Sequence, residues 1–357
     1  MSHTHPSTPL VVVRTPSAFE ISRPDNAHMA KALTTLIEAA QHRVRTSRCL
    51  QQLNLNTDPL LRALNAFADP QDQRTWDQLA NDLIQAHCAS LNSTQQRHLY
   101  ALICTDACAQ HQQAQQEHAG LVKAYRSAGF TVDHLSEHPG SDAVFVTDTG
   151  EQIDTVFLLG KLLHTRRHGE EDATRDLLKR LRIPTLQLPG HTLEGGDLIY
   201  SAFHRALFVG EGFRNHTHPA QAIAKHFSAL FPTLTVLPGQ LTLPEHYHLD
   251  CCFNVLSGGE VIAYPDAIAP TSWTNIEHTI LRQSATPILT ISRREALAFS
   301  TNFISIQRHV FLPSISLSTQ HLRQLTHWGY HTHSIPYHTF HLSGGSVRCS
   351  TLILYPP

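Results

Sequence analysis

The chain has 357 residues, 41% hydrophobic and 16% charged, with a formal net charge of −2. That is material for one large α/β domain with an insertion, or for two or three ordinary domains, and it offers no electrostatic case for nucleic acid or an anionic membrane as the main partner. No run approaches the roughly 18 consecutive apolar residues of a membrane span. The opening MSHTHPSTPL lacks a signal-peptide layout, and seven cysteines are an odd number in a chain too long to depend on disulfides, so a cytoplasmic protein is expected.

Residues 1–9 read as a disordered tail, followed by a short β run, LVVVRTP, from residue 10. Helical spacing then dominates. Met29, Leu33, Leu36, Ile37, Ala40 and Val44 form one stripe, and Leu60, Leu61, Leu64 and Phe67 a second behind Asp58-Pro59. Trp76, Leu79, Ala80, Leu83 and Ile84 form a third, and a longer helix runs to a stop at Gly129. Residues 30–110 are expected to be a helical insertion. Its apolar stripes would suit a homo-oligomer contact or a lid, or would be buried against each other. After Gly129 the texture changes to short β runs bounded by Gly, Pro, Asp and Asn: DAVFVTDTG, QIDTVFLLG, GGDLIYS with RALFVGEG, YHLDCCFNVLSGGEVIAYP, LAFSTNFISIQRHVFLP and VRCSTLILYPP. Helices are expected near 170–182, 219–230, 271–285 and 317–328. The recurrence of β pair, helix and β strand points to several similar α/β units packed together.

The 27 histidines invite a metal hypothesis. The pairs His246/His248, His331/His333 and His338/His341 form no HExxH helix, and no cysteine pair has CxxC spacing. Most are expected to be surface or packing residues, with neither metal nor cofactor required.

Four short segments carry chemistry. In Ser343-Gly344-Gly345-Ser346-Val347-Arg348-Cys349 a glycine-rich turn delivers a cysteine to the start of the last strand. A rigidly held thiol suits a nucleophile, although a lone cysteine there is more often a small core residue. In Tyr247-His248-Leu249-Asp250, a strand would put His248 and Asp250 on one face, able to hold a cation and move its protons, or to serve as a structural pair. Glu194-Gly195-Gly196-Asp197 marks a sharp backbone feature between carboxylates, or an ordinary tight turn. In Asp142-Ala143-Val144-Phe145-Val146-Thr147-Asp148, two acids and two valines would share one strand face. That mixture argues for a bend near Asp142 that brings Phe145 beside the acids, against the plainer reading of a buried strand with acidic ends. Two carboxylates and an aromatic ring could clasp a planar cation. A guanidinium is such a cation; attack at its carbon needs acids to bind it, a soft nucleophile, and an acid for the departing nitrogen.

DAVFVTD, LEGGD, GEGFR, YHLD and SGGSVRC, in that order, resemble the amidinotransferase/dimethylarginine dimethylaminohydrolase group of the pentein superfamily, over residues 10–29 and 111–357. The resemblance implies a five-bladed α/β propeller with the site at its centre, carrying the helical insertion. It implies Cys349 as a nucleophile forming a covalent thiouronium intermediate, His248 as general acid and base, and Glu194 as the carboxylate that orients the histidine. It implies Asp142, Asp148 and Asp250 as guanidinium-binding acids, Phe145 as pocket lining, and Arg214 as a grip on the substrate α-carboxylate, with Arg167 or its neighbour Arg166 as a second. The implied reaction is hydrolysis of arginine or an N-methylated arginine to citrulline or a ureido product. Amidino transfer to an amine acceptor and a non-catalytic guanidino-binding protein are the alternatives. The amidinotransferases carry a different motif in place of LEGGD, which favours hydrolysis. Arginine deiminases place their helical insert after the equivalent helix, so the insertion here says nothing about deiminase activity. Of the remaining cysteines, Cys104 and Cys108 are expected to pack within the insertion, and Cys252 to face the pocket.

Overall fold

Val11, Val12 and Val13 are β-branched and fully buried, and they form strand β1 (Leu10–Val13). In the computed structural model, residues 8–21, 26–53, 55–69, 72, 74–88, 91–215 and 217–357 are described; the expected tail lies outside them as far as residue 7. β1 pairs in parallel with β2 (Thr131–His134). A parallel pair cannot be joined by a tight turn, so a crossover is required, and the end of the helix Ser93–Ser127 supplies it.

The same plan follows four more times. β3 (Gly150–Ile153) and β4 (Val156–Leu159) form an antiparallel pair, and the helix Glu170–Leu181 leads to β5 (Thr185–Gln187), parallel to β4. β6 (Leu198–Ser201), β7 (Ala206–Glu211), helix Ala220–Leu230 and β8 (Thr235–Gln240) repeat it. So do β9 (Phe253–Val255), β10 (Val261–Ala263), helix Pro270–Ser284 and β11 (Ile288–Thr290). The fourth repeat is β12 (Ile304–Ile306), β13 (His309–Pro313), helix Thr319–His327 and β14 (His331–Ile335). The last strand, β15 (Leu352–Leu354), returns to pair antiparallel with β1, giving the order β15-β1-β2. The first strands of successive sheets touch, β15 with β3, β3 with β6 and β6 with β9. The result is a five-bladed α/β propeller in which the C-terminal strand completes the blade begun by β1.

A tight turn precedes each of these inner strands. Short 3-10 turns at Val146–Thr149, Gly195–Asp197 and Leu249–Cys251 lead into β3, β6 and β9. Other turns end just before Asn302 and at Ser350. The bend expected near Asp142 is present, and two strand expectations are corrected. Asp142–Asp148 bends through a turn, with the Phe145 N–H donating to the Asp142 carbonyl at 2.9 Å. His248 to Asp250 enters a 3-10 turn, closed by the Cys251 N–H on the His248 carbonyl at 3.2 Å. Cys349 sits in a turn three residues before β15. In each segment local N–H···O=C bonds replace the ladder of a sheet and turn the polar side chains away from strict alternation.

A second compact unit comprises Phe19–Gln116 with Thr339–Gly344. Asn26 caps the helix Ala27–Thr46 by accepting from the Met29 N–H, and Thr75 with Gln78 forms a reciprocal capping box on Trp76–His87. Asp58–Ala66 carries its proline in the first turn, with Thr57 at the N-cap and Asp58, expected to be the cap, as the first helical residue. The stripes bury one another. Leu33, Val44, Leu60, Leu64, Leu79 and Leu83 are core, and the Phe67 and Trp76 rings meet edge to face at 4.9 Å. Cys104 is buried against the Trp76 carbonyl, but Cys108, expected to pack, is exposed. No helix among the described residues is long and apolar enough to cross a membrane.

One structural anchor in the propeller was not foreseen. Glu295, in the short helix Arg293–Leu297, accepts from the Ser292 and Ser318 N–H groups at 2.9 Å each, from the Ser292 hydroxyl, and pairs with His321. Burial alone would raise its pKa, but these donors outweigh it and hold the carboxyl at about 2 against an ordinary 4.5. A depressed carboxyl stabilises the fold above its unfolded pKa and loses that contribution as pH falls through the folded one. Between pH 4.5 and about 2, the melting temperature of Glu295→Gln should therefore converge on that of the parent protein, as followed by circular dichroism. A gap that stays constant over that range would show that ionisation of Glu295 contributes nothing.

Candidate active site

The entry turns of the blades converge on one buried centre. The first supplies Asp142, Phe145 and Asp148, all at most 5% exposed. The Phe145 ring lies on the backbone of Gly345, where a Cβ would stand 2.3 Å from a ring carbon, so only glycine admits the aromatic ring there. The second turn supplies Glu194. Its neighbour Gly196 faces the ring of His248, and a Cβ would come within 2.5 Å of Nδ1. The LEGGD glycines thus let the second blade's backbone approach the third blade's imidazole.

Glu194 is fully buried and fully used. Oε1 accepts from the Leu163 N–H at 2.9 Å, and Oε2 meets His248 Nε2 at 2.8 Å and Arg214 Nη1 at 3.5 Å. Asn215 holds the backbone behind it, accepting from the Glu194 N–H and donating to the Gly210 carbonyl. The other imidazole nitrogen, His248 Nδ1, lies 3.7 Å from Asp148 Oδ1. The imidazole is therefore flanked by a carboxylate at each nitrogen. Burial works against its charge, but Asp148, Asp197 and Glu194 together raise its pKa to about 9. His248 is an imidazolium at neutral pH.

Asp197, three residues after Glu194, behaves in the opposite way. Burial lifts its pKa to about 8, and its Oδ1 accepts from the Leu249 N–H at 2.9 Å. Asp250 is also raised, chiefly by burial. It contacts two thiols, Cys251 Sγ at 3.6 Å and Cys349 Sγ at 3.7 Å, and Arg348 Nε lies 3.6 Å from Oδ2. Cys252 packs into the blade core with Phe208 and Phe253 and donates to the Leu249 carbonyl.

Cys349 is 3% exposed. Its carbonyl accepts from the Thr147 N–H at 3.0 Å, tying the last blade's turn to the first. Its sulfur meets Asn302 Nδ2 at 3.1 Å. Burial, then Asp250 and Asp148, push the thiol well above its ordinary pKa, while the Ser346 backbone and Asn302 pull the other way. At neutral pH the unliganded site holds a thiol beside an imidazolium.

The arginines divide into distinct tasks. Arg167 is buried, with Nη1 on Asp148 at 2.8 Å and both carboxylate oxygens of Glu170 in its fork. Its donors are taken up in orienting Asp148. Arg166, with its side chain 17% exposed, lies 3.4 Å from Asp142 Oδ2. Arg214 packs over the Tyr247 ring at 4.7 Å while reaching Glu194. Arg348 joins Glu151 and the Leu198 carbonyl, both at 2.8 Å. Asp197, Asn302 and Arg348 are built into this centre without having been singled out in the sequence. The signal available for Asn302 was positional: it precedes the first strand of its blade, as Glu194 and His248 do.

Among the described residues, Asp148, Glu194 and His248 are the group whose ligating atoms lie close enough to share a metal ion. Each of these groups has a protein partner: Arg167 on Asp148, Arg214 on Glu194, and the imidazole between the two carboxylates.

A family model described as N,N dimethylarginine dimethylhydrolase, eukaryotic, matches residues 83–355. An uncharacterized protein of Caenorhabditis elegans is 30% identical over 249 residues, 68% of this chain and 84% of that one. The N(G),N(G)-dimethylarginine dimethylaminohydrolase of Mycobacterium tuberculosis is 26% identical over 246 residues, 68% of this chain and 76% of its own. The crystal structure of the N-terminal domain of ArgZ bound to product, an arginine dihydrolase from cyanobacteria, superposes with a TM-score of 0.68 at 18% identity, covering 98% of both chains.

The paired carboxylates make a direct prediction. NMR titration of Cys349→Ser, with the His248 signal identified by difference against His248→Asn, should show a midpoint near pH 9. Removing one negative partner in Glu194→Gln should move it down. A midpoint at or below 6.5 would mean that burial, not the carboxylates, governs this imidazole.

Proposed function

The chain belongs to the dimethylarginine dimethylaminohydrolase family of the pentein superfamily, and we propose that it hydrolyses the guanidino group of arginine or an N-methylated arginine to citrulline plus ammonia or an amine. The observation that carries this reading is a buried thiol and a buried imidazolium set among carboxylates. The relatives' names bracket the substrate, dimethylarginine for the mycobacterial protein and arginine for the ArgZ domain.

The substrate guanidinium is a planar cation whose N–H forks match carboxylates. On this reading Asp148 and Asp250 hold it beside Cys349, with Asp142 and Phe145 completing the pocket. Arg214 meets the substrate α-carboxylate; Arg166, beside Asp142 and partly exposed, is better placed than Arg167 to assist. Arrival of the cation offsets the two carboxylates that raise the Cys349 pKa, so binding itself favours the thiolate. Asp250 Oδ2 accepts the thiol hydrogen.

The thiolate attacks the guanidinium carbon and forms a C–S bond. His248 gives its proton to the departing nitrogen as the C–N bond breaks, leaving a thiouronium on Cys349. A water then attacks the same carbon and the now neutral imidazole takes one of its protons. As the C–S bond breaks, the remaining hydroxyl proton goes to the leaving sulfur, so a neutral ureido product leaves and the thiol is restored, while the proton first taken by Asp250 passes to solvent, where the released amine takes one up. Glu194 fixes the ring orientation throughout and stabilises its charged form.

Purified protein supplied with arginine or dimethylarginine should form citrulline, with ammonia or dimethylamine in equal amount. Cys349→Ser should abolish turnover, and Glu194→Gln should lower kcat on the order of a hundredfold or more. Full turnover by Cys349→Ser, or no product from any guanidino compound tried, would overturn the assignment.

A further inference from the structure

Four of the five blades place a residue of the proposed chemistry in the turn before the inner strand: Asp148 before β3, Glu194 before β6, His248 and Asp250 before β9, and Cys349 before β15. The remaining blade offers Thr301 and Asn302 before β12. Both are fully buried. The Thr301 hydroxyl donates to the Asp250 carbonyl at 2.9 Å. Asn302 Oδ1 accepts from two backbone N–H groups, those of Arg348 at 2.9 Å and Cys349 at 3.2 Å. Backbone N–H groups can only donate, so the amide oxygen must face them. The other end of the same amide is then forced toward the sulfur, with Nδ2 at 3.1 Å. A rotated side chain would set an NH₂ group against two N–H donors and an oxygen against the sulfur. The orientation is thus fixed by the backbone around it.

We propose that Asn302 is a catalytic residue that donates an amide N–H to the sulfur of Cys349 and selectively stabilises its thiolate. The role rests on the guanidino-hydrolase reading for its place in turnover, but the thiol chemistry stands apart from it. Asp250 and Asp148 oppose negative charge on the sulfur before substrate arrives, and after substrate turns over the thiolate must be accepted again as leaving group. A fixed neutral donor assists both moments without adding a charge that would repel the guanidinium. A hydrogen bond to a charged partner is worth more than one to a neutral partner, so the donor favours the thiolate over the thiol. The backbone clamp also fixes where the sulfur stands, because Asn302 holds the Cys349 N–H and Sγ together.

The discriminating variant is Asn302→Asp. It keeps the shape and the oxygen that accepts from both N–H groups, and replaces the donor with a negative oxygen against the sulfur. Alkylation of Cys349 by iodoacetamide, followed by mass spectrometry of the Cys349 peptide across pH, reads the thiol alone without any substrate. The expected result is an upward shift of the alkylation midpoint by about one unit or more, equal to at least a tenfold loss of rate at a fixed pH below it. With substrate, kcat should fall by at least the same factor while KM changes less than threefold. Asn302→Ser, smaller and uncharged, removes the amide donor and should shift the midpoint in the same direction; it decides the matter if Asn302→Asp does not fold. An unchanged midpoint in the folded variant would overturn the proposal and leave Asn302 a packing residue. A shifted midpoint in a protein that turns over no guanidino compound would instead uphold Asn302 and reject the proposed function.

Discussion

Negative charge at a buried centre is the constraint that organises this molecule. Asp142, Asp148, Glu194, Asp197 and Asp250 are all at most 4% exposed. An isolated buried carboxylate costs several kcal/mol, so each must be paired, hydrogen-bonded or protonated. The structure uses all three solutions. Glu194 is paired, and although burial opposes it, Arg214 and His248 hold its pKa well below the ordinary carboxylate range. Asp148 is fixed by Arg167, itself locked by Glu170. Asp197 lies in the same short turn as Glu194, yet with a pKa of about 8 it carries a proton at neutral pH. Two carboxyls three residues apart thus hold opposite ionisation states: both feel the charge of His248, but Glu194 alone adds Arg214 and a direct hydrogen bond to the imidazole. Protonated Asp197 serves the backbone of Leu249 and keeps the YHLD turn in place without adding to the negative charge.

The propeller makes this crowding feasible. Side chains from positions 142 to 349 are delivered by separate short turns, each leading into a strand of its own blade and most hydrogen-bonded to a neighbouring turn. Thr147 binds the backbone of the Cys349 turn, Asp197 that of the His248 turn, and Thr301 that of Asp250. Turns of a few residues allow little adjustment, which suits a site in which spacings of 2.8–3.7 Å decide protonation. The pairing of β15 with β1 places Cys349 under the same control, because its turn is held by the strand that follows it.

Much of this organisation was legible in the sequence, for identifiable reasons. The alternation of β pair, helix and strand survives because each blade buries its own apolar residues. The stripes of the helical unit were readable because they pack on each other with helical period. The candidate residues stood out where several polar types sat beside glycines, as in LEGGD and SGGSVRC. The strand assignment at His248–Asp250 failed because local propensity cannot see a turn imposed by tertiary contacts, whereas the bend near Asp142 was legible because two acids and two valines fit poorly on one strand face. Asn302 was invisible for a different reason. An asparagine within STNFISI carries no charge or nucleophile, and its meaning appears only when the five turns are superimposed by their place in the ring. Arg167 shows the converse limit. The resemblance implied a substrate contact for Arg167 or its neighbour Arg166, and in the fold the Arg167 donors are engaged by Asp148 and Glu170.

The resting ionisation state has a consequence for selectivity on the proposed reading. With a neutral thiol and a charged imidazole, the unliganded site lacks its nucleophile. What favours it is positive charge placed beside a thiol that burial first, and then Asp250 and Asp148, keep protonated. A neutral urea of the same shape would not supply that charge, so it would leave the thiol protonated and unreactive. The ureido product is just such a neutral group. Once it has left, burial, Asp250 and Asp148 again hold the thiol protonated. The same carboxylates that bind the cation therefore contribute to selectivity, by withholding the thiolate from groups that do not carry the substrate's charge.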